Sequence, residues 1–382
     1  MLEPRHDGAV MIVDTGWDSY EQLAQALHRR GFDVRFVGFG FSKAARLRRK
    51  LGAPWADEVA DVDELRAYLR ARVTPDLVDV ITPEHLLGIT EATLEECPAA
   101  SPALRERLKT RLAWTDKYET AQRLLAAGVP CPPVTPVADV VPGDLTYPVI
   151  VKGRVGAGGT AVRVVEDAAS LAAAVATLPD PTGAYVERFI SGRNVGYIGA
   201  SSPGGTIVQE CTYETTREDA DSVGAPTGAR SLDAPELREL GRRVLESLGS
   251  SSFVNVEAIE DAAGDYWAID INVRPMGTFM AWRQAGVPFE DGYLAKLFGW
   301  PDDRPTEIVP PGRTVDVFPQ SSRAIALVSP TRAVRHFAHW APRYSRFLGW
   351  RYVASAAIVL LGQIVRVWKA RLTRATPVEP SA

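Results

Sequence analysis

The sequence predicts an α/β protein that begins with a Rossmann-like domain and ends in a helical segment. Residues 8–14 have the apolar pattern of a buried strand, residues 20–30 that of an amphipathic helix, and residues 32–37 that of a second strand. A strand–helix–strand order implies a parallel sheet. Residues 77–81 add another strand, so residues 1–110 are predicted to form this domain. Its glycines do not make a dinucleotide fingerprint, and we expect no NAD there.

The composition is that of a folded, soluble protein. The 382 residues are 46% hydrophobic and 24% charged, and the net charge is −4. This balance argues against a broad basic face for nucleic acid, and we expect no nucleic-acid partner. The three cysteines are far apart, which disfavours disulfides and a zinc site and fits a reducing cytoplasm. The first residues lack the pattern of a signal peptide, so we expect a cytoplasmic protein.

A glycine-rich hairpin is the most informative feature of the middle of the chain. Residues 147–152 read as a β-branched strand that ends in Lys152, residues 153–160 as a glycine loop, and residues 161–165 as a second strand. Backbone N–H groups and one ammonium can there converge on a single anion, which suits a polyphosphate. Upstream, a helix is predicted to begin near Lys117, with Leu124 and Leu125 on its apolar face.

A second hairpin carries a group of acids. Residues 253–259 and 266–272 read as its strands, with Glu257 in the first and Asp270 and Asn272 in the second. Residues two apart share a face of a strand, and a partner strand can reach the same face. Two carboxylates and a carboxamide are hard oxygen ligands of the kind that Mg²⁺ prefers. The alternative is a solvated acidic face, but Arg274 just downstream favours a site that holds a phosphate or carboxylate.

Taken in order, Lys117, Lys152, the glycine loop, Glu187 and the acidic hairpin resemble the ATP-grasp superfamily, especially its carboxylate–amine ligases. The resemblance covers about residues 114–299 and implies an ATP-grasp fold, with an α+β nucleotide flap at about 118–190 inside a domain spanning 111–310. Residues 311–382 are then a C-terminal helical appendage.

The resemblance also implies roles for individual residues. The nucleotide's phosphates would be held by two lysines and a flap, namely Lys117, Lys152, Gly156, Gly158, Gly159 and Thr160. The base and ribose would meet Glu187, Phe189, Ile190 and Asn194, and the metal would meet Glu257, Asp270 and Asn272. Arg274, with Lys152, would serve catalysis by steadying the transferred phosphoryl group or the acyl phosphate. Asn194 and Asp270 stand where the family more often has glutamate; an amide can still hydrogen-bond a ribose hydroxyl, and aspartate has a shorter reach to the metal.

The implied activity is ATP-dependent joining of a carboxylate to an amine through an acyl phosphate, with ADP and phosphate released. The cofactors implied are ATP and Mg²⁺, with Mn²⁺ as an alternative metal. Two other functions stay open: ATP-grasp kinase or carboxylase chemistry, and a non-catalytic nucleotide-binding protein recruited to a membrane. We expect small-molecule carboxylate and amine substrates and a homo-oligomer. Residues 212–231 have the composition of a loop over the site, with Glu210, Glu214, Arg217 and above all Arg230 near substrate.

The C-terminal segment contains an apolar run. Residues 352–365 carry no charge, and as a helix they would rise about 21 Å, short of the ~30 Å hydrocarbon core. A helix buried against the protein body is favoured. Peripheral contact with a membrane through residues 350–371, which carry tryptophans and basic residues at both ends, is the second interpretation.

Overall fold

A computed structural model describes residues 8–41, 43–156, 159, 161–216, 226–249, 252–299 and 304–374. Two predicted site residues, Gly158 and Thr160, and the predicted substrate residue Arg217 lie outside this described part. The mixed α/β architecture and the C-terminal helices predicted from the sequence are confirmed.

The N-terminal part is a parallel sheet in the order β3-β2-β1-β4. Its strands are β1 (Ala9–Asp14), β2 (Asp33–Phe39), β3 (Asp57–Val59) and β4 (Leu77–Ile81). Its helices are α1 (Asp18–Arg29), α2 (Lys43–Gly52), α3 (Val62–Arg72), α4 (Glu84–Glu95) and α5 (Pro102–Ala113). Every residue of β1 is buried, as expected of a central parallel strand covered on both faces. The strand order reverses between β1 and β4, which creates a crevice at their carboxyl ends.

The flap is an antiparallel sheet in the order β5-β8-β6-β7. Its strands are β5 (Val134–Pro136), β6 (Val149–Lys152), β7 (Val162–Val165) and β8 (Tyr185–Arg188). In the chain, helix α6 (Lys117–Ala126) precedes β5, and helix α7 (Leu171–Ala176) connects β7 to β8. Val149 and Val151 belong to the flap's own core. Strand alternation therefore points Ile150 and Lys152 to the opposite face.

The glycine loop of the flap depends on close packing at Gly156. A Cβ atom there would come within 2.6 Å of the Cβ of Ala161, so a larger residue would force the hairpin apart. Gly159 has a φ of +76°, in the left-handed region that favours glycine. The predicted hairpin is confirmed, with Lys152 opposite Val162.

The central sheet runs in the order β13-β12-β9-β10-β11-β15, with β14 beside β10. Its strands are β9 (Gly192–Ser201), β10 (Ile207–Thr216), β11 (Gly228–Ser231), β12 (Phe253–Asp261), β13 (Tyr266–Asn272), β14 (Glu307–Ile308) and β15 (Thr314–Asp316). Helix α8 (Pro235–Ser247) packs on one face through Leu240 and Val244, and α9 (Phe289–Phe298) belongs to the core on the other. The predicted hairpin of β12 and β13 is confirmed, and Glu257 lies opposite Asp270.

The C-terminal helices are α10 (Gln320–Val328), α11 (Pro330–Leu348) and α12 (Trp350–Arg374). The first turns of α12 pack on the N-terminal part: Gln22 donates to the Tyr352 hydroxyl at 2.7 Å and to the carbonyl of Phe318 at 2.6 Å. A Cβ atom on Gly52 of α2 would meet the hydroxyl of Ser355 at 2.9 Å. The C-terminal segment is thus fastened to the Rossmann-like part, and its last helix is longer than the predicted apolar run.

Two local predictions are wrong. Leu124 is buried as predicted, but Leu125 is 37% exposed, because only one of the two adjacent residues can face the core of a single-sided helix. The predicted loop over 212–231 is partly sheet: residues 212–216 belong to β10 and residues 228–231 to β11, paired with each other. Its polar composition reflects strands near the edge of the central sheet.

Candidate active site

A cleft of about 350 Å³ separates the flap from the central sheet. On the flap side it is lined by Ile150, Val162 and Val164, and on the other side by Ile259 and Ile269. The flap residues share one face because Ile150 lies opposite Val164, and Val162 is two residues away from Val164. Two apolar walls form a slot that suits a flat aromatic group, such as the base of a nucleotide.

Most of the predicted site residues line this cleft. They are Lys117, Lys152, Gly159, Glu187, Phe189, Ile190, Asn194, Glu257, Asp270, Asn272 and Arg274. Gly156 lines a small cavity next to it, which Lys117, Asn272 and Arg274 also border. The fold therefore gathers residues from the flap, the hairpin and the start of α6 at one place.

Lys152 is held at the floor of the cleft by a buried ion pair. Its Nζ donates to the two carboxylate oxygens of Glu187 at 2.8 and 2.9 Å, and to the carbonyl of Ile269 at 2.9 Å. The two side chains are 8% and 5% exposed. Burial raises the pKa of Glu187, and the ammonium of Lys152 limits that rise. Each of the three N–H protons of Lys152 thus has an acceptor. A phosphate oxygen could bond Lys152 only by replacing one of these three acceptors.

Lys117 forms a second pair, with Asp270. Lys117 is the first residue of α6, and Asp116 caps this helix by accepting from the N–H of Glu119 at 3.1 Å. From there its ammonium bonds the Asp270 carboxylate across the cleft. Burial alone would raise the pKa of Asp270, but Lys117, Lys152 and Arg274 together hold this pKa below its ordinary value. Asp270 is therefore ionised at neutral pH, as a metal ligand must be.

Glu257, Asp270 and Asn272 form an oxygen-rich set next to these lysines. The Asn272 amide lies 3.5 Å from a Glu257 carboxylate oxygen. No group of three or more His, Cys, Asp and Glu side chains with metal-site spacing occurs in the described part of the chain. Two carboxylates and an amide oxygen nevertheless fit Mg²⁺, which takes few protein ligands and completes its shell with phosphate oxygens and water. These three residues are thus suited to hold that metal.

Arg274 connects the cleft to the N-terminal sheet. It is only 8% exposed, and its Nε bonds the carboxylate of Glu84, just beyond β4. Its guanidinium carbon lies 4.6 Å from the ring centroid of Trp17, just beyond β1. These two residues stand at the crevice where the strand order reverses, the usual place for a ligand in such a sheet. Arg274 therefore faces both the cleft beside the flap and this crevice.

Comparison with known proteins assigns the fold. Residues 114–278 match the model of the ATP-grasp domain. This part of the chain is an ATP-grasp domain. It is 27% identical over 206 residues to a D-alanine–D-alanine ligase of Ectopseudomonas mendocina, in an alignment covering 48% of this chain and 64% of that one. A D-alanine–D-alanine ligase of Acinetobacter baumannii is 24% identical over 176 residues, covering 42% and 57%. The chain thus spans less than two thirds of the length of these relatives.

Solved structures share the ATP-grasp architecture at low sequence identity. A carboxyaminoimidazole ribonucleotide synthase of Aspergillus clavatus, crystallised with ATP, is similar with a TM-score of 0.64 at 13% identity, covering 94% of this chain and 99% of that one. An L-amino acid ligase of Bacillus licheniformis has a TM-score of 0.61 at 17% identity, covering 81% and 79%. At these identities the likeness establishes the fold.

Two residues beside Arg274 were not predicted, and some predicted residues lie away from the cleft. Trp17 and Glu84 were missed, although each directly follows a predicted strand of a parallel sheet, which is a usable signal. Glu210 is fully buried under α8, where Arg242 bonds it at 2.6 Å. Arg230 pairs with Glu214 at 3.1 Å. The predicted residues Glu210, Glu214 and Arg230 therefore do not border the cleft.

Proposed function

We propose that this protein is an ATP-dependent ligase that joins a carboxylate to an amine through an acyl phosphate. One observation carries the proposal: Arg274 is buried between the nucleotide cleft and the strand-order crevice, so a single cation can contact a phosphoryl group and a carboxylate at once. Lys117 and Lys152 add two ammonium groups on the cleft side. The ligase relatives are consistent with this activity.

The chemistry follows from charge. An oxygen of the substrate carboxylate attacks the γ-phosphorus of ATP, the bond from that phosphorus to the β-phosphate oxygen breaks, and ADP leaves. The amine then attacks the carbonyl carbon of the acyl phosphate, and inorganic phosphate leaves while the nitrogen loses a proton. Negative charge accumulates on oxygens in both steps, so Lys152, Lys117 and Arg274 are placed to stabilise it. Mg²⁺ bound at Glu257, Asp270 and Asn272 would neutralise phosphate oxygens.

The crevice side supplies what a second substrate needs. Glu84 offers a carboxylate that is 16% exposed, and Trp17 an aromatic wall over the Arg274 guanidinium. A molecule that carries an amine near a carboxylate, such as an amino acid, is complementary to this site, because its amine can bond Glu84 and its carboxylate can bond Arg274. We therefore propose amino acids or small peptides as the substrates.

Transfer of an oxygen isotope tests the reaction directly. The protein is incubated with ATP, Mg²⁺ and a panel of amino acids labelled with ¹⁸O in the carboxylate, and the phosphate is analysed by mass spectrometry. Amine-dependent ADP release together with one ¹⁸O atom in the phosphate is the expected result. ADP release that depends on bicarbonate alone would instead indicate carboxylation. ADP formation with unlabelled phosphate, or no ADP formation across the panel, would refute the proposal.

The domain limits of 1–110, 111–310 and 311–382, the cytoplasmic location and the homo-oligomer remain predictions. The first boundary would fall inside α5, which ends at Ala113 and packs on the N-terminal sheet through Leu104 and Leu108. Limited proteolysis followed by mass spectrometry would locate the boundaries.

A further inference from the structure

An exposed apolar stripe runs along the last helix. Ile358, Leu361, Val365 and Trp368 follow each other at intervals of three, four and three residues, which places them on one side of a helix with about 100° per residue. They are 39%, 57%, 52% and 59% exposed. The packed side of α12 lies roughly opposite, where Ala356 and Leu360 are buried. The stripe thus takes no part in the protein's own core.

The surroundings of the stripe are cationic. Residues 317–378 contain ten arginines and lysines and no aspartate or glutamate, in a chain whose net charge is −4. Three of these cations are exposed on α12, namely Arg351, Arg366 and Lys369. By the same helical geometry they lie within about 80° of Ile358, along one border of the stripe. An apolar stripe bordered by cations is typical of helices that lie on anionic membranes.

Tryptophans mark the two ends of this surface. Trp350 is 64% exposed, and Trp368 lies about 27 Å further along the helix. Indole rings favour the level of lipid headgroups, because they combine an apolar body with an N–H donor. Leu327 and Val328, at the end of α10, are 57% and 66% exposed. They follow Ile325, which packs in the same small core as Leu360, so further apolar surface lies close to the stripe.

We propose that α12 docks this protein on the surface of an anionic lipid bilayer, lying parallel to it with the stripe 358–368 inserted among the headgroups. The segment Trp350–Lys369 of this helix is long and apolar enough to cross a membrane, by length and composition alone. However, 28% of this segment is buried in the protein. Crossing would have to break the packing at Tyr352 and Leu360, whereas lying on the surface leaves it intact.

Charge also decides between a bilayer and a second copy of the chain. The three-four spacing would suit a coiled coil. However, pairing two copies through α12 would bring two acid-free, cationic segments against each other, and like charges at such a seam are unfavourable. Anionic lipids complement the same charges.

Vesicle co-sedimentation of the full-length protein tests the proposal. Vesicles of phosphatidylcholine alone are compared with vesicles of equal parts phosphatidylcholine and phosphatidylglycerol, at low and high salt. We expect binding to the anionic vesicles, weakened at least tenfold by high salt and by the double substitution Leu361→Lys with Val365→Lys. Because these lysines add positive charge, a loss of binding would show that the stripe inserts. Val141→Lys is the matched control, since Val141 is 60% exposed in the flap.

Sedimentation velocity and circular dichroism complete the test. The variants should keep the wild-type helical signal and sedimentation coefficient. No binding of the wild type to anionic vesicles, or equal binding by the double variant, would overturn the proposal. So would a wild-type dimer that the stripe substitutions dissociate, because the stripe would then be a subunit interface.

Discussion

Replacing Lys152 by methionine would reveal how much of its role is structural and how much is catalytic. The ammonium of Lys152 neutralises Glu187 inside the protein, at 2.8 and 2.9 Å from its two carboxylate oxygens. Removing one partner of a buried pair costs about 3–5 kcal/mol, because the other charge stays in a poorly solvated place. Lys152→Met should therefore lower the free energy of unfolding by that amount, measured by urea denaturation.

The double variant Lys152→Met with Glu187→Gln separates the two roles. It removes both charges with little change of shape, so most of the lost stability should return, leaving a deficit of about 1–3 kcal/mol for imperfectly paired polar atoms. Activity should not return. A preorganised donor to a transferring group contributes about 10²–10³ in kcat, and neither methionine nor glutamine replaces it. Turnover would be followed as ADP release at saturating ATP.

The pH dependence gives an independent check of the pair. Burial raises the pKa of Glu187 above the ordinary 4.5, and loss of Lys152 should raise this pKa further. A carboxyl group with a raised folded-state pKa stabilises the fold below its unfolded-state pKa, and this stability is lost as the pH rises through the folded-state pKa. The deficit of Lys152→Met should thus be small below about pH 4.5 and grow towards neutrality.

Full activity in Lys152→Met would refute the role of Lys152 in phosphoryl transfer. Recovery of activity together with stability in the double variant would show that Lys152 serves the fold alone. If the loss of unfolding free energy in Lys152→Met does not change with pH, it does not arise from an ionised Glu187 that has lost its partner.

Three further predictions follow. Asp270→Asn should raise the Mg²⁺ concentration for half-maximal activity at least tenfold, while Asp265→Asn in the exposed turn of the same hairpin should not; equal effects would contradict metal binding at Asp270. Trp17→Ala removes the ring 4.6 Å from Arg274 and should raise the KM for the carboxylate about tenfold with the KM for ATP unchanged; a change in ATP alone would contradict the crevice as a substrate site. Burial lowers the pKa of Lys296 to about 7, so between there and its ordinary 10.5 the unfolded chain binds an extra proton and stability should rise with pH. Lys296→Met should remove this rise, which reaches at most about 1.4 kcal/mol per pH unit in urea denaturation; an unchanged slope would assign it to other groups.

Much of the cleft could be predicted because local sequence rules place its parts. Strand alternation brings Asp270 and Asn272 to one face, and the hairpin places Glu257 opposite Asp270. Lys152 is predicted to lie beside the flap loop because it ends a β-branched strand and glycines follow it. Each of these inferences needs only neighbours in the chain and the family's order of motifs.

The remaining features depend on long-range docking. Arg274 meets Glu84 and Trp17 only because the N-terminal part packs on α9, which covers one face of the central sheet. Arg274 and Glu84 are 190 residues apart in the chain. The partners of the lysines are likewise distant: Lys117 and Asp270 are 153 residues apart. The strand pairing of 213–216 with 228–231 overrides a composition typical of loops, since burial and cross-strand packing decide strand formation more than intrinsic preference does.

The pairing of site cations with site anions indicates how the cleft handles its ligands. Lys117 bonds Asp270 and Lys152 bonds Glu187, so the groups that would hold phosphates are neutralised by acids of the same cleft. If Lys117 turns to a phosphate, Asp270 is left as a carboxylate that another cation must neutralise, because Lys117 is the first of the cations that lower its pKa. A divalent metal that arrives with the nucleotide meets this need, whereas either ligand alone leaves a charge uncompensated in a largely enclosed site. We therefore expect the cleft to bind nucleotide and metal together, and Arg274, which bonds Glu84, to contact the substrate carboxylate.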